Sequence, residues 1–109
     1  MKISQMINLL DLKALSEGED REIKNGYTSD LLSDVIANAK EDYIWITIQR
    51  HLNILAVAEL KKIPAIIITG KSYPDEKLIK KAKEEKIYIL KTEKNSFEIS
   101  GEIYELFKK

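Results

Sequence analysis

Three short runs constrain this chain more than any other feature: YIWITI at 43–48, AIIIT at 65–69 and IYIL at 87–90. Each is rich in β-branched and aromatic residues and nearly free of polar ones. Such a run suits a strand covered on both faces rather than one with a wet side. The segments between them, HLNILAVAELKK and PDEKLIKKAKEEK, repeat with helical period. Strand, helix, strand, helix, strand with short connections is the pattern of right-handed parallel crossovers. The expected fold is α/β: three layers, α/β/α, around a mainly parallel central sheet. A length of 109 residues holds one core, so residues 1–109 are expected to form one domain.

The flanks extend the pattern. ISQMINLL has helical spacing and predicts a short first helix. LKALSEGEDREI reads as a brief strand and an acidic turn through Gly18, with a second extended piece near Glu22 to Tyr27. TSDLLSDVIANA is then predicted helical, with Thr28, Ser29 or Asp30 as cap and Leu31, Leu32, Val35 and Ile36 as its buried stripe. NSFEISGEIYELFKK closes the chain as a helix, and Asn95 with Glu98 fits a capping box. Gly101 costs that helix about 1 kcal/mol relative to alanine, unless close packing against a neighbour compensates.

The two middle helices differ. DEKLIKKAKEEK has one apolar stripe (Leu78, Ile79, Ala82) and a lysine-rich outer face. LNILAVAEL is apolar nearly all round, which implies burial on more than one side. Either neighbouring helices of the same chain or a second subunit would supply that cover, and a homodimer is the expectation the second option carries.

Composition removes several function classes. Lysine plus arginine equals aspartate plus glutamate at 18 each, so no net field draws nucleic acid or an anionic membrane. The absence of cysteine rules out disulfides, thiol nucleophiles, cysteine-bound zinc and iron–sulfur clusters. MKISQMINLL is too short and polar for a signal peptide, and no apolar run approaches the roughly 20 residues of a membrane span. A cytoplasmic address is expected.

Ile68-Thr69-Gly70-Lys71-Ser72 ends like a phosphate-binding P-loop, but the glycine needed five positions before Gly70 is Ala65, and a strand fills the interval. Pro74 also follows too soon for a helix starting at the lysine. A receiver-type phosphoacceptor would need clustered carboxylates at its strand ends to hold magnesium, and none is placed there. One histidine without cysteine or acidic neighbours is a poor metal site, and local spacing assembles no Ser–His–acid set. Neither a metal nor a cofactor is expected, and the chain is not expected to be an enzyme.

Geometry then directs attention to the strand ends, because open parallel α/β sheets bind ligands outside the carboxyl ends of their strands. The readable ends carry Gln49, Arg50, His51 and Asn53; Thr69, Gly70 and Lys71; and Thr92 and Glu93 with Ser96. Gly70 would let a partner approach the backbone, and the helix N-terminus after His51 suits an anion. The candidate ligand contacts are Thr28, Asp30, Gln49, His51, Asn53, Thr69, Gly70, Thr92 and Glu93. The plainer alternative is that His51 or Asn53 caps the following helix and Arg50 is solvated.

Four stretches are specific enough to suggest a family: GYTSDLLSDVIANA; the WITIQ junction with the His51-Leu52-Asn53 that follows it; IIITG leading to Pro74-Asp75-Glu76; and Ile89-Leu90, Thr92-Glu93 and Ser96-Phe97-Glu98 before the last helix. Over nearly its whole length the chain resembles the DRTGG domain family. That family's domains are found fused to CBS, phosphotransacetylase or pyrophosphatase modules, and the N-terminal domain of HPr kinase looks similar. The resemblance implies a regulatory or assembly module that dimerises, without chemistry of its own. A kinase role is not implied, because the P-loop domain is lacking. The leading expectation is therefore a non-catalytic, homodimeric regulatory domain binding a small anionic or nucleotide-like ligand at its strand ends. The alternative is a protein-interacting accessory subunit of a redox or hydrogenase-type system with no small ligand; a third reading is an enzyme using His51 as general base.

Overall fold

The computed structural model describes residues 1–108. In chain order run α1 (Ile3–Leu10), β1 (Lys13–Ser16), β2 (Asn25–Thr28), α2 (Leu32–Asn38), β3 (Tyr43–Thr47), α3 (Asn53–Lys61), β4 (Ala65–Ile68), α4 (Glu76–Glu85), β5 (Tyr88–Lys91) and α5 (Ser96–Phe107). The strands form a sheet of order β1-β5-β4-β3-β2. Strands β2 to β5 are parallel neighbours, while β1 runs antiparallel along β5, with Lys13 opposite Lys91. The sheet is mainly parallel with an antiparallel edge, and its both-sided cover confirms the three-layer expectation.

Strand alternation divides the core in two. Trp45, Ile66, Ile68 and Ile89 pack with Val35 of α2 and Ala39 just after it, Ile54 and Leu55 of α3, and Leu78 and Ala82 of α4. Ile44, Ile46, Ile67 and Leu90 meet Ile3, Met6 and Leu10 of α1 and Ile99 and Ile103 of α5. The division follows from handedness. Strand order advances one step in one direction from β2 to β5, so right-handed crossovers put α2, α3 and α4 on the same face. No parallel strand follows β5, and α5 falls on the opposite face beside α1.

Several local expectations change. Thr28 ends β2 rather than opening α2, and the helix starts at Leu32 with no side-chain cap. Ser29 Oγ instead accepts from the Leu31 amide at 3.2 Å, before the helix begins. Of the expected stripe, Val35 is buried and Leu32 half-buried, whereas Leu31 and Ile36 are exposed. The cause is the helix's shortness: the sheet takes Val35 and Ala39, one turn apart, and Leu31 lies in extended backbone ahead of them. At α5 the capping box forms as read, Glu98 N donating to Asn95 Oδ1 at 2.9 Å and Asn95 N to Glu98 Oε1 at 3.2 Å. A Cβ on Gly101 would meet nothing within 4 Å, so this glycine is a surface position.

Helix α3 is covered by its own chain on one side only. Ile54, Leu55, Val57 and Ala58 are buried, but Leu52, Ala56 and Leu60 are exposed at successive turns, Leu60 to 66%. The same chain therefore supplies the inner cover and leaves an apolar strip outside.

Candidate functional site

Parallel alignment brings the C-terminal ends of β2, β3, β4 and β5 to one edge. They are not equivalent there. The chain leaves β3 and β4 towards helices on the same face, so their connections run side by side. From β5 it leaves towards α5 on the other face. Neighbouring exits that diverge to opposite faces open a crevice, which is where α/β sheets hold ligands. In this sheet the divergence falls between β4 and β5.

Hollows lie there. One of about 420 Å³ is lined by Lys13, Gly70, Lys71, Tyr73, Lys91 and Glu93. Another of about 400 Å³ adjoins it, sharing Lys13, Lys91 and Glu93 and adding Leu10, Asp11, Thr92 and Lys94. Both fall in the size range of small-molecule sites, roughly 300–1,000 Å³. Gly70 has φ +71°, a left-handed conformation that favours glycine, and its amide donates to Lys94 O at 2.8 Å, tying the loop after β4 to the loop after β5. Lys91, last residue of β5, is 8% exposed, and its ammonium donates to the carbonyls of Gly70 and Thr92. Burial pushes that ammonium's pKa down, with the Glu93 carboxylate opposing.

The β3 exit is occupied by its own chain. Asp30 Oδ1 accepts from Thr47 Oγ1 and from the Ile48 amide, both at 2.9 Å. Gln49 donates from Nε2 to Asp30 O at 2.8 Å and from its amide to Thr47 Oγ1 at 3.1 Å. Next to this clasp, Arg50 Nε donates to Tyr73 O at 2.8 Å and its guanidinium lies 2.9 Å from Asp75 Oδ1. His51 Nδ1 is 2.6 Å from Asp75 Oδ2. The His51 bond holds the Asp75 carboxyl below its usual range against opposing desolvation, and the charges of Arg50, His51 and Lys77 add to the lowering. Neither His51 nor Asn53 caps α3, and Arg50 is paired rather than simply solvated. The amides of Ile54 and Leu55 turn back to the carbonyls of His51 and Leu52, which removes two of the donors an anion would have used.

The remaining candidates lie apart from that cluster. Thr28 Oγ1 is 2.7 Å from Ser100 Oγ, on the α5 face. Thr69 is buried and its Oγ1 lies 2.8 Å from Ser96 Oγ, joining β4 to the start of α5. Thr92 Oγ1 accepts from the Lys94 amide at 3.2 Å. The structure thus brings Gly70, Thr92 and Glu93 together at the crevice, while Gln49, His51 and Asn53 belong to the junction of β3, α3 and α4. Lys13, Lys91 and Asp75 were not among the sequence candidates. Lys91 follows Tyr88-Ile89-Leu90 as one more strand residue, a signal present in the sequence. Lys13 reaches the site only because β1 pairs with β5, and no local pattern announces that. Lys71 and Ser72 lie in a loop, with α4 beginning only at Glu76, so no helix N-terminus stands at the lysine.

Fold and edge together define an α/β domain with an open strand-end crevice. Residues 7–106 match the DRTGG domain family, and the chain belongs to it. Its fold is similar to the crystal structure of the CBS and DRTGG domains of the regulatory region of Clostridium perfringens pyrophosphatase, complexed with the activator diadenosine tetraphosphate, with TM-score 0.72 and 20% identity. The likeness covers 93% of this chain and 44% of that one, so this chain spans less than half of that structure. No curated protein matches the sequence. No helix among the described residues is long and apolar enough to cross a membrane.

Proposed function

We propose that this DRTGG domain is a non-catalytic regulatory module that binds a small anionic or nucleotide-like ligand in the crevice between the β4 and β5 exits. The observation that carries the reading is that crevice: a hollow of about 420 Å³ where the β4 and β5 exits diverge, adjoined by one of about 400 Å³ between the β5 exit and the turn from α1 into β1. Gly70, Thr92 and Glu93 would touch the ligand, with Thr69 behind them. Thr28, Asp30, Gln49, His51 and Asn53 would set the surrounding loops. The regulatory region of the similar pyrophosphatase has a nucleotide activator, which supports the ligand class. Calorimetry and thermal shift with AMP, ADP, ATP, diadenosine tetraphosphate and simple phosphate esters test it. Saturable heat and a raised Tm with at least one are expected; no response to any would overturn the reading.

The module would act as a homodimer through the exposed strip formed by Leu52, just ahead of α3, with Ala56 and Leu60 on it. The small central Ala56 would let two such helices approach closely. Light scattering should give twice the chain mass at micromolar concentration, and Leu60→Glu should halve it. A second reading, a protein-interacting accessory subunit of a redox or hydrogenase-type system, is favoured by Phe97 and Tyr104, two turns apart on α5 and exposed to 89% and 68%. If it holds, replacing both by serine abolishes binding to that partner in a purified mixture and leaves nucleotide binding untouched.

A further inference from the structure

The net charge of zero conceals a local excess. Lys13 and Lys91 are register partners across β1 and β5, so their side chains leave the same face of the sheet side by side. Like charges in that relation destabilise a strand pair. Lys71, beside Gly70, adds a third ammonium to the wall of the same hollow. Among the described residues no carboxylate lies within ion-pair distance, 4.0 Å, of any of the three. Glu93 and Asp11 line the hollows without pairing with them, and Lys94 is held by both carboxylate oxygens of Glu102, at 2.7 and 2.6 Å.

Lys91 is the informative member. A lysine that is nine-tenths buried normally has an acidic partner or is replaced by an apolar residue of similar shape. Here two carbonyls take two of its three protons, no carboxylate lies within ion-pair distance, and Glu93 acts on its charge only from farther off. The carbonyls fix the head of the side chain at the wall shared by both hollows. A lysine held in that way offers a point charge rather than a planar fork, which fits a compact tetrahedral anion better than a planar carboxylate.

We propose that Lys91, flanked by Lys13 and Lys71, is the anchor of a phosphoryl-binding subsite in the β4–β5 crevice, occupied by inorganic phosphate groups or the phosphate end of an organic ester. The proposal rests on the reading of this crevice as the ligand site and adds which part of the ligand is held, and by what. Lys91→Met removes the cost of desolvating a charge but leaves the Gly70 and Thr92 carbonyls without this donor, so without an anion its stability should stay close to that of the natural chain.

Pyrophosphate is the probe, titrated by calorimetry into the natural chain, Lys91→Met, the double variant Lys13→Ala/Lys71→Ala, and Lys80→Ala as a control on the exposed face of α4. Pyrophosphate should bind the natural chain and Lys80→Ala alike. Affinity should fall about 10-fold or more in Lys91→Met and in the double variant, as expected for losing charged hydrogen bonds to an anion. Amide shift changes on binding should centre on residues 70–71 and 91–94. The double variant alters two exposed side chains, so it decides the matter even if Lys91→Met fails to fold. Shifts centred on residues 49–53 would overturn the subsite and the crevice reading together, whereas undiminished binding in the double variant would overturn the subsite and leave the ligand-sensing reading standing. The same holds if adenosine binds and pyrophosphate does not. Failure of pyrophosphate, ATP and adenosine alike would overturn both.

Discussion

His51 Nδ1 lies 2.6 Å from the Asp75 carboxylate, and that contact joins the exit of β3 to the residue preceding α4. Arg50 grips the other oxygen of the same carboxylate, and the Asp75 amide donates to Arg50 O at 3.0 Å. The chain's sole histidine therefore acts as a loop tie. Asp75→Ala should give a small loss of stability that shrinks in high salt, because the groups are well exposed. It should also increase hydrogen exchange at residues 71–75. His51→Ala made on top of Asp75→Ala should add little, since both remove one contact. Fully additive effects would show that His51 has another partner.

Two glycines make opposite predictions. A Cβ on Gly18 would stand 1.9 Å from the Lys86 carbonyl oxygen, a backbone atom that cannot swing away. Gly18→Ala should cost about 1–3 kcal/mol by overpacking. Gly101 sits inside α5 with open space around it. Gly101→Ala should stabilise by about 0.5–1 kcal/mol through helix propensity alone. Urea unfolding of the two variants checks both signs in one experiment.

Acid should release a tie at the opposite end of the sheet. Arg21 Nε donates to Asp42 Oδ1 at 2.7 Å, and Lys24 Nζ lies 3.7 Å from the other oxygen. The Arg21 hydrogen bond, with the charges of Arg21 and Lys24, holds the Asp42 carboxyl below its ordinary 3.8 against opposing desolvation. A depressed folded pKa means the unfolded chain binds more protons in acid. The stability Asp42 contributes is complete above the ordinary value and is lost as pH falls through the folded one. Asp42→Asn should therefore cost about 1 kcal/mol at neutral pH, allowing for the partial exposure of Arg21. Its disadvantage should vanish in strong acid. Thermal melts from pH 7 down to pH 2 would show the two curves converging; parallel curves would contradict the assignment.

Trp45 is fully buried, and its Nε1 donates to Ser29 O at 2.9 Å. Phenylalanine would keep most of the packing and orphan the carbonyl, so Trp45→Phe should cost about 1–3 kcal/mol. Trp45→Ala should cost about 3–5 kcal/mol. As the chain's single tryptophan, Trp45 should emit at short wavelength when folded and shift to the red with the same midpoint as circular dichroism.

Asp30 makes a narrower prediction. Its carboxylate closes the β3 exit by accepting from Thr47 Oγ1 and the Ile48 amide. Asp30→Ala should leave the core strands as protected from exchange as before while residues 47–50 exchange faster. Loss of protection across β3 as a whole would mean the clasp supports the sheet itself.

Sequence by itself determined the layers, the strand and helix order and the capping box of α5, because each depends on patterns within some fifteen neighbouring residues. An apolar run announces a strand covered twice, whatever covers it. Tertiary structure decided where the edge is open. Asp30 and Asp75 occupy the β3 side because distant segments deliver carboxylates there. Lys91 becomes a buried cation only because β1 returns alongside β5 and the loop after β4 turns a carbonyl towards it. Charge balance and side-chain pairing across a sheet are properties of chain segments far apart in sequence, and periodicity along the chain carries no record of them.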